Sequence, residues 1–144
     1  MPHPNLNILF VIRGTMNGDM GRILRILAPT SGSYAAERNA PMIMRIAKRL
    51  GAEVVAVHIR VKGQDREGDM PLQIFAREAE REGVKCTLIP AEGEVAPTII
   101  SLARFHRADI ILMGATEGSF VASWILDEIA KKTSIPVLLL PFSD

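Results

Sequence analysis

The sequence predicts an α/β fold: an open parallel sheet of five strands, order 3-2-1-4-5, with helices on both faces. Three observations predict it. Short apolar runs alternate along the chain with longer amphipathic stretches, the pattern of strand–helix–strand units with right-handed crossovers. The 144 residues, 48% of them hydrophobic, suit one domain with a core large enough to fold without staples. That apolar content, with a formal net charge of only +1, excludes a disordered chain.

The run Ile-Leu-Arg-Ile-Leu-Ala, residues 23–28, reads as the first strand, ended by Pro29. Thr30-Ser31-Gly32-Ser33 makes a polar turn in which Ser33 can cap a helix. Ala36, Ala40, Ile43, Ala47 and Leu50 then form a helical stripe, with Lys48 and Arg49 in the last turn and Gly51 as the stop. Pro41 lacks an amide proton and crowds the Glu37 carbonyl, so a kink or a restart is expected there. Residues 53–60 are rich in β-branched side chains and form the second strand.

A polar loop over 61–70 leads to a helix from Pro71 to about Glu82, where Arg77–Glu80 and Glu78–Arg81 can pair on a wet face. Gly83 ends it. Lys85–Pro90, short and mixed, reads as an edge strand, and a Gly-Glu turn leads into a short helix over 97–105. Ala108–Gly114 is nearly continuous apolar sequence, as a central strand requires. Thr116–Ser119 is a turn. Phe120–Lys132 is a helix with Asp127–Lys131 and Glu128–Lys132 at favourable spacing, and Pro136–Leu140 is the last strand.

Composition removes several functions. A charge near zero gives no case for nucleic acid or a membrane surface as the main partner. A single cysteine, Cys86, excludes an internal disulfide framework and multi-cysteine metal sites. An aromatic fraction of 5% argues against base-stacking platforms. The start carries no signal peptide, and no run approaches the roughly 20 apolar residues of a membrane span. A soluble cytoplasmic protein without direct membrane insertion is expected.

The strand order places a switch point between the first and fourth strands, where open α/β sheets bind ligands. Thr30–Ser33 and Gly114–Ser119 meet there. Small polar loops beside helix starts suit phosphate, although they are also the ordinary way for a strand to enter a helix. The Walker pattern and G-x-G-x-x-G are absent. The clustered aspartates of a receiver and the aromatic loops that would sandwich a flavin are missing too. His3, His58 and His106 show no metal-ligand spacing, and no metal is expected. No nucleophile elbow occurs and no catalytic residue is assigned. Cys86, Met42 and Met44 read as packing residues, and Trp124 as core or interface.

The stretches 25–33 (Arg-Ile-Leu-Ala-Pro-Thr-Ser-Gly-Ser), 47–59, 108–114 and 134–140, taken in order, resemble universal stress protein domains. The resemblance covers about residues 23–142. It implies a Rossmann-like, adenine nucleotide alpha hydrolase-like fold. It also implies a homodimer paired through the last strand, here Pro136, Val137, Leu138, Leu139 and Leu140. On this basis residues 23–144 form the domain and 1–22 an N-terminal extension. Residues 5–13 of that extension add a strand or dimer contact, or else Met16 or Met20 is the start.

Nucleotide-binding members resemble one another in an aspartate after the first strand and in G-x2-G-x9-G-[ST] after the fourth. Here the aspartate position is Ser31. Gly114 matches the first glycine, but the second falls on Glu117, with Gly118 one place late. The stretch to the last helix is about four residues shorter than the phosphate cradle needs. Counted back from Pro136, the final pair falls on Ser123-Trp124. Ile59 keeps an apolar residue at a position that touches adenine in binders. The candidate crevice is therefore Pro29, Thr30, Ser31, Gly32, Ile59, Met113, Gly114, Thr116, Glu117, Gly118, Ser119 and Ser123. The turn sequences also resemble the branch found as soluble tails of cation/proton antiporters. The resemblance implies a dimeric regulatory or partner-binding module, without a tightly bound ATP cofactor and with a protein partner such as a transporter. The alternatives are a binder of ATP or AMP with weak or slow hydrolysis, and a binder of another small anion or metabolite.

Overall fold

The computed structural model describes residues 22–60, 63, 68–114 and 119–141, with 119–123 described by their backbone alone. The elements follow as β1 (Arg25–Thr30), α1 (Ser33–Leu50), β2 (Glu53–Arg60), α2 (Met70–Glu82), β3 (Cys86–Glu92), α3 (Val95–Phe105), β4 (Ile110–Gly114), α4 (Ser119–Lys132) and β5 (Val137–Leu140). The strands form one five-stranded sheet in the order β3-β2-β1-β4-β5. Each neighbouring pair is parallel. This is the architecture read from the sequence, with β3 at an edge and β4 between β1 and β5.

Alternation along the strands divides the core in two. Ile26 and Ala28 of β1, Val54 and Ala56 of β2, and Leu112 of β4 pack with Ala36, Ala40, Ile43, Met44 and Ala47 of α1 and Leu72, Ile74 and Phe75 of α2. Leu27, Val55, Val57, Ile59, Ile111 and Met113 pack on the other side with Ile99, Ile100 and Ala103 of α3 and Ile125 and Ile129 of α4. The period of two sends successive residues to opposite faces, so a strand buried on both sides reads as unbroken apolar sequence.

The amino-terminal edge of the sheet is tied by charge. Asp109 accepts the Arg25 backbone N–H at 2.8 Å and pairs with the Arg22 guanidinium, while Arg25 Nε lies 3.0 Å from Glu53 Oε1. The Asp109 N–H returns a bond to the Arg25 carbonyl at 2.8 Å. The starts of β1, β2 and β4 are thereby held in register.

Four local expectations change. Ser33 is not the cap: Gly32 holds that place, and its carbonyl accepts the first helical bond from Ala36 N–H at 2.9 Å. Pro41 is accommodated within α1, which is helical throughout Ser33–Leu50. Pro41 is half-buried, four residues on from Glu37, and its missing amide costs the helix only the bond to the Glu37 carbonyl. Leu50, placed on the apolar stripe, is exposed, as is Met42, whereas Met44 is fully buried. Arg77 does not turn to Glu80. It bonds Glu37 of α1 at 2.6 Å and the neighbouring Glu78 at 3.0 Å, and Glu78 is itself buried, with Arg81 at 3.4 Å. The pairs Asp127–Lys131 and Glu128–Lys132 stand as expected, at 3.0 and 3.5 Å.

Candidate functional site

The β1–β4 ladder matches Ile26 with Ile110 and Leu27 with Ile111. β1 continues to Thr30 and β4 to Gly114 beyond that register. By contrast β1 stays matched to β2 along its whole length, up to Thr30 opposite His58. The carboxyl end of the sheet therefore has its break between β1 and β4, the place where strand order reverses.

Of the sequence-derived residues, Pro29, Thr30, Ser31, Gly32 and Gly114 stand at these strand ends. Pro29 and Thr30 are half-buried at the end of β1, and the Thr30 hydroxyl donates to the Gly32 carbonyl at 3.1 Å. Ser31 is exposed and Gly32 is buried at the head of α1. Ile59 and Met113 are buried on the α3–α4 side. Gly114 is buried at the end of β4, opposite Leu140 of β5. Thr116, Glu117 and Gly118 lie outside the described residues. Ser119 and Ser123 lie in α4, described by backbone alone.

Two further side chains stand at the site. The Asn39 carboxamide of α1 lies against Gly114 so closely that a Cβ there would meet Nδ2 at 2.0 Å and Cγ at 2.5 Å. His58, only 5% exposed, places Nδ1 3.4 Å from the Thr30 carbonyl oxygen. Sequence reasoning set His58 aside and did not single out Asn39. A signal existed for both. His58 follows Val54 and Ala56 at the period of two on the α1-facing side of β2. Asn39 is a polar residue beside Ala36, Ala40 and Ile43 on a helix that must pack on the sheet.

What this arrangement can do follows from its atoms. On the α1 side of the crevice the Thr30 hydroxyl, the His58 ring and the Asn39 carboxamide supply polar atoms. The end of β1 carries the hydroxyls of Thr30 and Ser31. Among the described residues of the crevice, no hydroxyl or thiol is hydrogen-bonded to a base, the pairing that activates a nucleophile.

Residues 23–141 match the universal stress protein family, and the chain belongs to it. It is 28% identical to a universal stress protein of Methanocaldococcus jannaschii, the match covering 81% of each chain. Among solved structures it resembles a universal stress protein in complex with cAMP, with a TM-score of 0.67 at 17% identity over 84% of this chain and 98% of that one. It also resembles the universal stress protein of Archaeoglobus fulgidus in complex with dAMP, with a TM-score of 0.60 at 20% identity over 81% of this chain and 96% of that one. At such identities the likeness is one of fold. Among the described residues no helix is long and apolar enough to cross a membrane.

Proposed function

We propose that this universal stress protein is a dimeric, non-catalytic regulatory module that binds a protein partner and lacks tight ATP binding. One observation carries the reading: β4 ends at Gly114 and α4 is already helical at Ser119. The binders' loop must run on from the first glycine to a second glycine and a hydroxyl that hold the phosphates. In this chain those places, Ser123 and Trp124, belong to α4. Beyond the first turn of a helix each amide is committed to the carbonyl four residues back, so it cannot turn to a phosphate. Ser31 adds to this, since a neutral side chain stands where binders carry an aspartate.

The dimer reading is supported by β5. It is the edge strand beyond β4, and Leu138 and Leu139 are 45% and 39% exposed there. An edge with open backbone groups and apolar side chains favours pairing with a second copy. Residues 1–22 are read as an N-terminal extension of this module, which works in the cytoplasm.

The second reading is a nucleotide-binding member. Two of the structures sharing the fold hold cAMP and dAMP, and Gly114 is kept at the end of β4. Thr30, Ser31, Gly114, Thr116, Gly118 and Ser119 would then hold phosphate in a rearranged way. A thermal-shift titration with ATP, AMP and a non-hydrolysable ATP analogue separates the two. The first reading expects no saturable rise in Tm at micromolar nucleotide, and such a rise would establish the second.

A further inference from the structure

The outward face of α1 carries cations beside an aromatic ring and a thioether. Tyr34, Arg38, Met42, Arg45 and Arg49 recur every four or three residues, so they share one stripe, opposite the buried Ala36, Ala40, Ile43 and Ala47. Tyr34 is 61% exposed and Met42 38%, and Arg45 and Arg49 are exposed. Arg38 is held over the Tyr34 ring, 5.5 Å from its centroid, with a 3.0 Å bond to the phenol oxygen. The one carboxylate of the helix, Glu37, lies on the flank and is taken by Arg77 of α2.

Cations in the last turn answer the helix dipole, which accounts for Lys48 and Arg49. Arg38 and Arg45 lie too far from that end for the same explanation. A solvated face usually mixes both signs; this one keeps only cations and sets an aromatic ring and a thioether among them. Arginine, tyrosine and methionine are the residues enriched at protein interfaces, and guanidinium forks match carboxylates. The stripe spans about 22 Å, the length of an opposing helix of about 15 residues. A long polyanion is less well served, because the whole chain carries a net charge of only +1 and projects little field beyond the stripe.

We propose that the outward face of α1 is a docking surface for an acidic, helical polypeptide segment. Its carboxylates meet Arg45 and Arg49, and its apolar residues cover Tyr34 and Met42. This rests on the partner-binding reading above and supplies its surface and its partner's chemistry. An interface of one helix face lies at the small end of the size range, so the complex is transient and salt-sensitive.

The probe is a synthetic helical peptide with glutamates at every fourth position and leucines between, titrated into the isotopically labelled full chain. Amide shifts are expected to move along Tyr34–Arg49, and the Arg45→Glu/Arg49→Glu variant is expected to bind at least about tenfold more weakly. Both substitutions are at exposed positions, and unchanged far-ultraviolet circular dichroism checks the fold. Shifts that map elsewhere, or binding that survives the charge reversal, overturn the proposal. So does tighter binding of polyuridylate or phosphatidylserine vesicles than of the peptide through the same arginines. The partner-binding reading fails separately, through micromolar stabilisation by nucleotide, which leaves the peptide result unaffected.

Discussion

The Asn39 carboxamide lies against the Cα of Gly114, where a side chain would stand 2.0 Å from Nδ2. Helix α1 thus rests on the end of β4 at the point where the β1–β4 ladder has stopped. The glycine is required by this close approach, whatever its part in ligand binding.

Replacing Gly114 by alanine is therefore expected to lower stability by about 1–3 kcal/mol, the range for overpacking. In the Asn39→Ala background the same replacement is expected to cost less than half as much. Urea denaturation of the four proteins in this cycle measures the difference. Equal costs in both backgrounds contradict the contact.

Asp109 ties β1 to β4 through the Arg25 N–H and the Arg22 guanidinium. Asp109→Ala leaves that part-buried amide without its acceptor. A loss of about 1–3 kcal/mol is expected by chemical denaturation. Asp109→Asn keeps one acceptor oxygen and is expected to lose less.

Burial pushes the Cys86 thiol up from 9.0 to about 11, against a hydrogen bond with the Ala56 backbone that favours the thiolate. The folded state keeps its proton where the unfolded chain releases it. The resulting stabilisation is complete below pH 9.0, declines as the pH rises, and is fully lost above about 11. At pH 8 the folded chain is expected to react with a disulfide reagent about a hundredfold more slowly than the denatured chain. Comparable rates contradict it.

Leu138→Arg tests the dimer. Leu138 is exposed in the single chain, so the arginine leaves the fold intact while placing a charge in the paired edge. Light scattering is expected to give a dimer for the wild type and a monomer for the variant, with circular dichroism unchanged. A monomeric wild type at micromolar concentration contradicts the dimer.

Element types were legible in the sequence because period-two and helical stripes are local patterns, and the strand order followed from the alternation of strands and helices with right-handed crossovers. β2, bounded by Glu53 and Arg60, was read to the residue, since both ends carry charge and the middle is apolar. Contacts made across the fold were not legible. Spacing along one helix offers Arg77 a partner in Glu80, yet its guanidinium reaches Glu37 on another helix. Nothing in residues 33–50 taken alone shows that Asn39 will meet Gly114, for that depends on how α1 lies on the sheet. At the crevice, the substitution of Ser31 and the shortening after Gly114 were visible as departures from a family pattern. The arrival of α4 at Ser119 gives that shortening a structural form.

Helix α4 is proposed to stand where nucleotide binders place the phosphate loop, and equilibrium titration of the full chain with ATP by calorimetry decides the matter. No saturable heat is expected at micromolar ATP. A saturating one-to-one isotherm in the micromolar range would contradict it.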